Sequence, residues 1–222
     1  MAKVFIGVGH GGSDPGAVAN NTKEKDLNLS IALACRDELL RHGIQVKMSR
    51  VTDENDPLGE EIKECNAYAP DLAVEIHNNA GGGDGAEVFH HYGGGKGKIL
   101  AENILAEIVK LGQNSRGTKV RKNSSGKDYY GFIRETSAPA VIVECAFVDN
   151  AQDLKFLATE SDRQKVGQAI AKGVLKSLGV AYQGERDTLY RVQVGAYLLR
   201  SNAEDMQKKI KAVGFDAFIV KE

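Results

Sequence analysis

Three short apolar runs decide what architectures are open to this chain. Val4–Val8 (VFIGV), Leu72–Ile76 (LAVEI) and Ala140–Val143 (AVIV) are rich in β-branched residues, and each is too short for a helix. Each reads as a buried strand, and Gln45–Met48 and Ala86–Phe89 add two more. Between them lie segments of helical period. Asp26–His42 sets Leu27, Ile31, Ala34 and Leu39 on one face and meets Gly43, a residue suited to ending a helix. Lys98–Leu111 carries Leu100, Ile104, Ile108 and Leu111, and Asp162–Leu178 carries Val166, Ile170, Val174 and Leu178. Strands alternating with helices predict an α/β fold, a mostly parallel twisted sheet flanked by helices. Asn114–Asp128 is polar and basic without period and predicts an exposed loop. The glycine-dense stretches NNAGGGDGAE and HHYGGGKGK predict tightly turning connections.

After Gly179 the texture changes. Residues 180–187 read as a linker. LYRVQVGAY alternates like a strand, and Ala203, Met206, Ile210 and Val213 share one face of a helix with Ser201 and Glu204 as its capping box. DAFIV reads as a last strand. The organisation is therefore a main domain over 1–179, a linker over 180–187 and a small β-α-β unit over 188–222. So small a unit buries too little apolar surface to fold alone. It is expected to dock on the main domain or to pair with a second copy.

Composition removes several function classes. A net charge of -1 offers no one-signed field for nucleic acid or an acidic membrane surface. No apolar run approaches the ~20 residues of a membrane span. The three cysteines, Cys35, Cys65 and Cys145, are odd in number, widely spaced and lack C-x-x-C, which argues against a disulfide framework. Each is expected to pack as a small apolar residue. The fold begins at Val4, which leaves no room for the basic start and ~7–15 apolar residues of a secretory signal. Synthesis in the cytoplasm without a signal peptide is therefore expected.

The loop after the first strand invites two readings. Gly7, Gly9 and Gly12 spell G-x-G-x-x-G, the letters of a dinucleotide-binding turn. That turn needs a helix to start inside the motif. Here SDPGAVANNTKEKD follows, and the first helical period starts near Asp26. The nucleotide reading thus survives in letters only. The other reading concerns His10. In an open α/β sheet, ligands bind at the carboxyl ends of the strands. The first strand ends near His10, the LAVEI strand at His77 and the AVIV strand at Glu144, while Glu24, in the loop before the first helix, can fold back over that edge. Two imidazoles and a carboxylate suit Zn²⁺, and a further carboxylate nearby suits a general base. Polar residues at strand ends also cap loops, and spacing alone leaves both readings open.

At these residues the chain resembles the zinc-dependent N-acetylmuramoyl-L-alanine amidases of the amidase type 3 family. GHGGSDPGA is similar to that family's opening G-H-G-G-x-D-x-G-A, KEKDLNLSIA to its E-K-x-x-N/T-L-x-x-A, EIHNNA to its S-x-H-x-N-A, and APAVIVECAFVDN to its P-A-x-L-x-E-x-G-F-x-S-N. The resemblance spans about residues 3–178. It implies Zn²⁺ held by His10, Glu24 and His77, with Glu144 as the catalytic carboxylate. It also implies hydrolysis of the peptidoglycan amide between N-acetylmuramic acid and L-alanine. Glu75 departs from the family, which has a small residue there, and Ala146 replaces a glycine. Asn79 and Arg134 are candidate substrate-binding residues, Asn79 beside His77 and Arg134 for a stem-peptide carboxylate. The tail resembles the first half of a SPOR domain, a small peptidoglycan-binding module. That implies wall binding or, because half is missing, a homodimer that rebuilds the whole. Such an enzyme would act on the cell wall after release, as a phage endolysin or a mother-cell lysis enzyme. The competing expectation is a non-catalytic peptidoglycan-binding or regulatory protein on the same fold.

Overall fold

The structure is a computed structural model and describes residues 1–184 and 193–220. It divides into two units, Met1–Gln183 and Gly184–Glu222, each taken by itself.

The first unit is built on a six-stranded sheet. Its strands are β1 (Lys3–Val8), β4 (Gln45–Met48), β5 (Leu72–Asn79), β6 (Ala86–His90), β7 (Ser115–Lys119) and β8 (Ala140–Phe147), in the order β4-β1-β5-β8-β6-β7. The run from β4 to β8 is parallel, β6 lies antiparallel to β8, and β7 lies parallel to β6. A separate two-stranded ribbon joins β2 (Val18–Ala19) to β3 (Thr22–Lys23).

Strand alternation divides the core into two layers. Val4, Ile6 and Val8 of β1, Leu72, Val74 and Ile76 of β5 and Val141 and Val143 of β8 face one layer. Over them lie α1 (Glu24–Arg41), α3 (Gly95–Val109) and α6 (Glu160–Ser177), through Ile31, Leu39, Leu100, Ile104, Val166, Ile170 and Val174. Phe5, Ala73, Phe89 and Ile142 point the other way, against α2 (Leu58–Tyr68) and α4 (Gly131–Glu135) through Ile62, Cys65, Phe132 and Ile133. On that second face β5 presents Glu75 and His77, β8 presents Glu144 and β6 presents Glu87. All three cysteines are buried and free. A short α5 (Ala151–Phe156) follows β8 and is capped by Asn150, and Thr159 and Asp162 form a capping box on α6.

Several elements differ from expectation. Helix α1 begins at Glu24 rather than Asp26, because the β2–β3 ribbon turns at Asn20 and Asn21, both at positive φ, and delivers the chain straight into the helix. Glu24 is thus a first-turn residue of a helix and not part of a long loop. The segment expected as a loop contains β7, an edge strand. It shows no apolar alternation because its residues are partly exposed or exposed.

In the second unit, α7 (Arg200–Ala212) begins one residue before Ser201, so the expected capping box does not form. Leu199 stands at the N-cap and makes no side-chain cap hydrogen bond. The expected strand over DAFIV has no regular structure. The expected strand in LYRVQVGAY lies partly outside the described residues, as does the linker, and Gln193–Tyr197 form no strand.

Candidate metal centre

Two loops and two strands converge on Glu24. The chain leaves β1 through Gly9 to His10, which sits at φ 63°. A side chain in that left-handed conformation is uncommon and must be held by its surroundings. Arg50 does much of the holding. It is buried and donates to the carbonyls of Val8, Gly9, Lys25 and Thr52. A Cβ at Gly9 would lie 2.2 Å from the His77 ring, and one at Gly16 (φ 65°) would lie 2.6 Å from both Glu24 and His10. The glycines therefore let backbone press against the two imidazoles and the carboxylate. Of the letters that imitate a phosphate-binding turn, Gly9 is the one pressed on His77, while a Cβ at Gly7 would meet Glu61 and one at Gly12 would meet Asn55.

The result is a compact donor set. His10 Nε2 lies 3.1 Å from Glu24 Oε2, and His77 Nδ1 lies 2.9 Å from Glu24 Oε1. One ligand atom from each of the three residues falls within 4.8 Å of the other two. The Glu24 side chain is 5% exposed, whereas those of His10 and His77 are 26% and 18% exposed, so the cluster opens to solvent on the histidine side. Further bonds orient the set. Asp14 Oδ2 meets His10 Nδ1 at 2.8 Å, and Glu75 Oε1 lies 3.5 Å from His77 Nε2. Glu24 also accepts from Ala17 N, Asn78 N and Asn28 Nδ2.

Electrostatics follow from this packing. Burial opposes ionisation of Glu24, but the hydrogen bonds from His10 and His77 outweigh it and hold the carboxyl well below its usual range. The hydrogen bond to Glu24 raises His10. Burial works against a charged His77, yet Glu24 and Glu75 more than compensate and its pKa lies well above the ordinary value. Glu144 stands opposite His77 in the β5–β8 register. Its Oε2 is shielded from solvent and has no hydrogen-bond partner. Burial pushes its carboxyl up to about 7. On the far side of Glu75, Glu61 of α2 is buried, and burial together with Glu75 raises its carboxyl well above the usual range.

Two imidazoles and one carboxylate, converging and open on one side beside an unpartnered carboxylate, fit a divalent zinc ion that keeps a coordination position for water or substrate. The other candidates are placed as follows. Asn79 donates to Glu87 Oε1 and accepts from Ala80 N, so its side chain is engaged within the sheet edge. Arg134 donates to the carbonyls of Asp128 and Tyr129 and to Glu135, stapling the loop before α4. His42, at the end of α1, bonds the Glu38 carbonyl. Arg50 and Asn28 escaped the sequence reading. Asn28 carries a signal, since it lies four residues after Glu24 and so on the same helix face.

Comparison with known proteins gives two family matches. Residues 4–176 match the N-acetylmuramoyl-L-alanine amidase family, and residues 157–221 match the SPOR domain. The chain is 34% identical to the N-acetylmuramoyl-L-alanine amidase CwlM of Bacillus licheniformis, over 99% of this chain and 85% of that protein. It is 33% identical to the endolysin of Bacillus phage SPP1, over 80% of this chain and 66% of that one. Among solved structures, the catalytic domain of the amidase CwlV from Bacillus (Paenibacillus) polymyxa var. colistinus superposes with a TM-score of 0.73 at 28% identity, covering 82% of this chain and 100% of that one.

Proposed function

The chain belongs to the N-acetylmuramoyl-L-alanine amidase family, and from that membership together with its site we infer that it hydrolyses the amide joining N-acetylmuramic acid to L-alanine in peptidoglycan with zinc as its cofactor. The observation that carries this reading is the convergence of His10, Glu24 and His77 with Glu144 directly across the strand pair from His77.

An unactivated amide needs a nucleophile, a stabilised oxyanion and a protonated leaving nitrogen. His10, Glu24 and His77 would hold the zinc ion, which would supply Lewis acidity for a water nucleophile and for charge on the carbonyl oxygen. Glu144 performs the proton transfers. Its unpartnered Oε2 and raised pKa suit it to take a proton from the attacking water and return one to the alanine nitrogen. Asp14 and Glu75 fix the ring orientation of His10 and His77 from their outer nitrogens.

The tail is assigned to wall binding on the strength of its SPOR match. Pairing of two tails is the finer part of the proposal, and the exposure of Val213, Phe215 and Phe218 supports it. A light-scattering mass equal to one chain at micromolar concentration would remove the pairing and leave wall binding in place. In the cell, the enzyme is proposed to act on the wall after release from the cytoplasm, as an endolysin or a mother-cell lysis enzyme.

The deciding experiment digests purified cell walls with zinc-loaded protein, with chelated protein and with protein to which zinc has been returned. New L-alanine amino termini should appear, vanish and reappear in turn. Release of reducing sugar ends instead of amino termini, or digestion indifferent to the chelator, would overturn the reading.

A further inference from the structure

The segment left unexplained is the basic one. Arg116, Lys119, Arg121, Lys122 and Lys127 fall between residues 115 and 127 with no acidic residue among them, in a chain whose net charge is -1. The structure puts the first two on β7, an edge strand, where both meet Glu87 of β6.

The sheet register makes the connection. His77 of β5 pairs with Glu144 of β8, and Glu144 pairs with Glu87 of β6. These three side chains form one row on one face of the sheet, with neighbouring strands about 4.8 Å apart. Glu87 is buried and collects both cations on one oxygen, Arg116 Nε at 2.6 Å and Lys119 Nζ at 2.5 Å, while Asn79 Nδ2 meets its other oxygen at 3.1 Å. Burial opposes ionisation of Glu87, but the bonds from Lys119 and Arg116 prevail and keep it a carboxylate. Two cations on one carboxylate leave one positive charge over. A guanidinium and an ammonium also carry more N–H donors than Glu87 consumes. Arg116 spends one of them on the Asp84 carbonyl at 3.4 Å and lies over the Phe147 ring at 4.9 Å. Both side chains keep about a third of their surface open to solvent.

The cationic heads thus meet Glu87, the residue one strand removed from Glu144. In peptidoglycan the residue after L-alanine is a D-glutamate linked onward through its γ-carboxyl, so its α-carboxylate is free unless amidated. One Cα–Cα step plus two bonds places that carboxylate roughly 6 Å from the alanine nitrogen. That reach exceeds the roughly 4.8 Å between neighbouring strands, so a carboxylate so linked can extend from the Glu144 position of the row to the Glu87 position. We propose that Arg116 and Lys119, presented by Glu87, form an anion subsite for the free α-carboxylate of the second stem-peptide residue, so that this amidase discriminates D-isoglutamate from D-isoglutamine. The inference rests on the amidase reading given above.

Paired muramyl tetrapeptides that differ only in carboxylate or carboxamide at the second residue test it on the full-length, zinc-loaded protein. kcat/KM should favour the carboxylate by roughly tenfold or more, the scale of a charge-assisted hydrogen bond. Added salt should shrink that ratio. In Arg116→Gln/Lys119→Gln the ratio should fall toward one, and in Arg116→Lys/Lys119→Arg it should persist. Equal kcat/KM on the two substrates in the native protein overturns the subsite. So does an undiminished ratio in a folded, zinc-retaining Gln double variant. Should that variant not fold, the native ratio and its salt dependence decide. Failure to cleave either substrate would instead sink the amidase assignment, so the two failures are distinct.

Discussion

Helices α6 and α7 are alike in sequence and opposite in structure. Both carry apolar residues at helical spacing, Val166, Ile170 and Val174 in one, Met206 and Ile210 in the other with Val213 at its C-cap, and both lie within the stretch that matches the SPOR domain. In α6 the apolar face is fully buried against α1 and α3. In α7 no residue is buried. Periodicity therefore states that a helix has a face to cover and is silent about what covers it. The SPOR match begins at residue 157, so its first part runs through a helix already committed to the amidase core. Only the part after Gln183 is left to act as a separate module.

If this contrast is right, the chemistry resides wholly in the first unit. The largest expected effect is that of Glu144→Gln, which should retain zinc and lose at least ~10²–10⁴-fold in hydrolysis, the range of general acid–base catalysis. Removing residues 184–222 should leave hydrolysis of soluble muropeptides intact and lower only the binding to intact walls. A truncated protein inactive on soluble substrate would show that the two units are not independent. The next effect is on stability. Ile170→Ala hollows a fully buried site and should cost about 2–5 kcal/mol, whereas Ile210→Ala on a half-buried position should cost much less in dilute, unpaired protein. Denaturant midpoints measure both. A cost at Ile210 that grows with protein concentration would report the proposed pairing of tails, whereas a large cost independent of concentration would mean that the face is already covered within one chain, and the contrast would fail.

What the sequence discloses follows the same division. Buried parallel strands are legible because Val4–Val8, Leu72–Ile76 and Ala140–Val143 are buried on both faces and so read as near-continuous apolar runs, interrupted only by Glu75. Strand β7 was not, because an edge strand carrying Arg116 and Lys119 has no apolar pattern to show. Helix α2 is hard to read because Ile62 and Cys65 are its only buried apolar residues, and Glu60, Glu61 and Glu64 dilute the period. Within the site, His10, His77 and Glu144 were readable as strand-end residues. Glu24 was named, but its place in a helix depended on the Asn20–Asn21 turn. Arg50 was invisible, since its four carbonyl partners come from loops distant in sequence and only the fold brings them together.

Proton linkage to zinc sharpens the contrast further. His10 and His77 are both raised in the metal-free protein, with Glu24 the chief cause of charging each, and zinc requires them neutral. Zinc binding should therefore release protons, and affinity should weaken as pH falls below the raised histidine values. Calorimetry in buffers of different ionisation enthalpy counts the protons released. A binding heat independent of the buffer would show that the histidines are already neutral and that the Glu24 contacts are not ion pairs.

The smallest effect is the pH dependence of stability without metal. Burial holds Glu144 near 7 against an ordinary 4.5, so between those values the folded state keeps a proton that the unfolded state has released. The folded state then binds more protons, and stability must fall as pH rises through that window. His10 and His77, also raised, add a decline of the same sign. Glu24, depressed, acts in the opposite sense and only in more acidic solution. The native slope is thus a sum, and the difference between native protein and Glu144→Gln isolates one member of it. In chelated protein, Glu144→Gln should flatten the decline between about pH 4.5 and 7. Thermal midpoints across that range read the difference. Parallel profiles for native protein and Glu144→Gln would mean that Glu144 holds no proton at rest, and its suitability for returning one to the alanine nitrogen would then have to come from the bound metal alone.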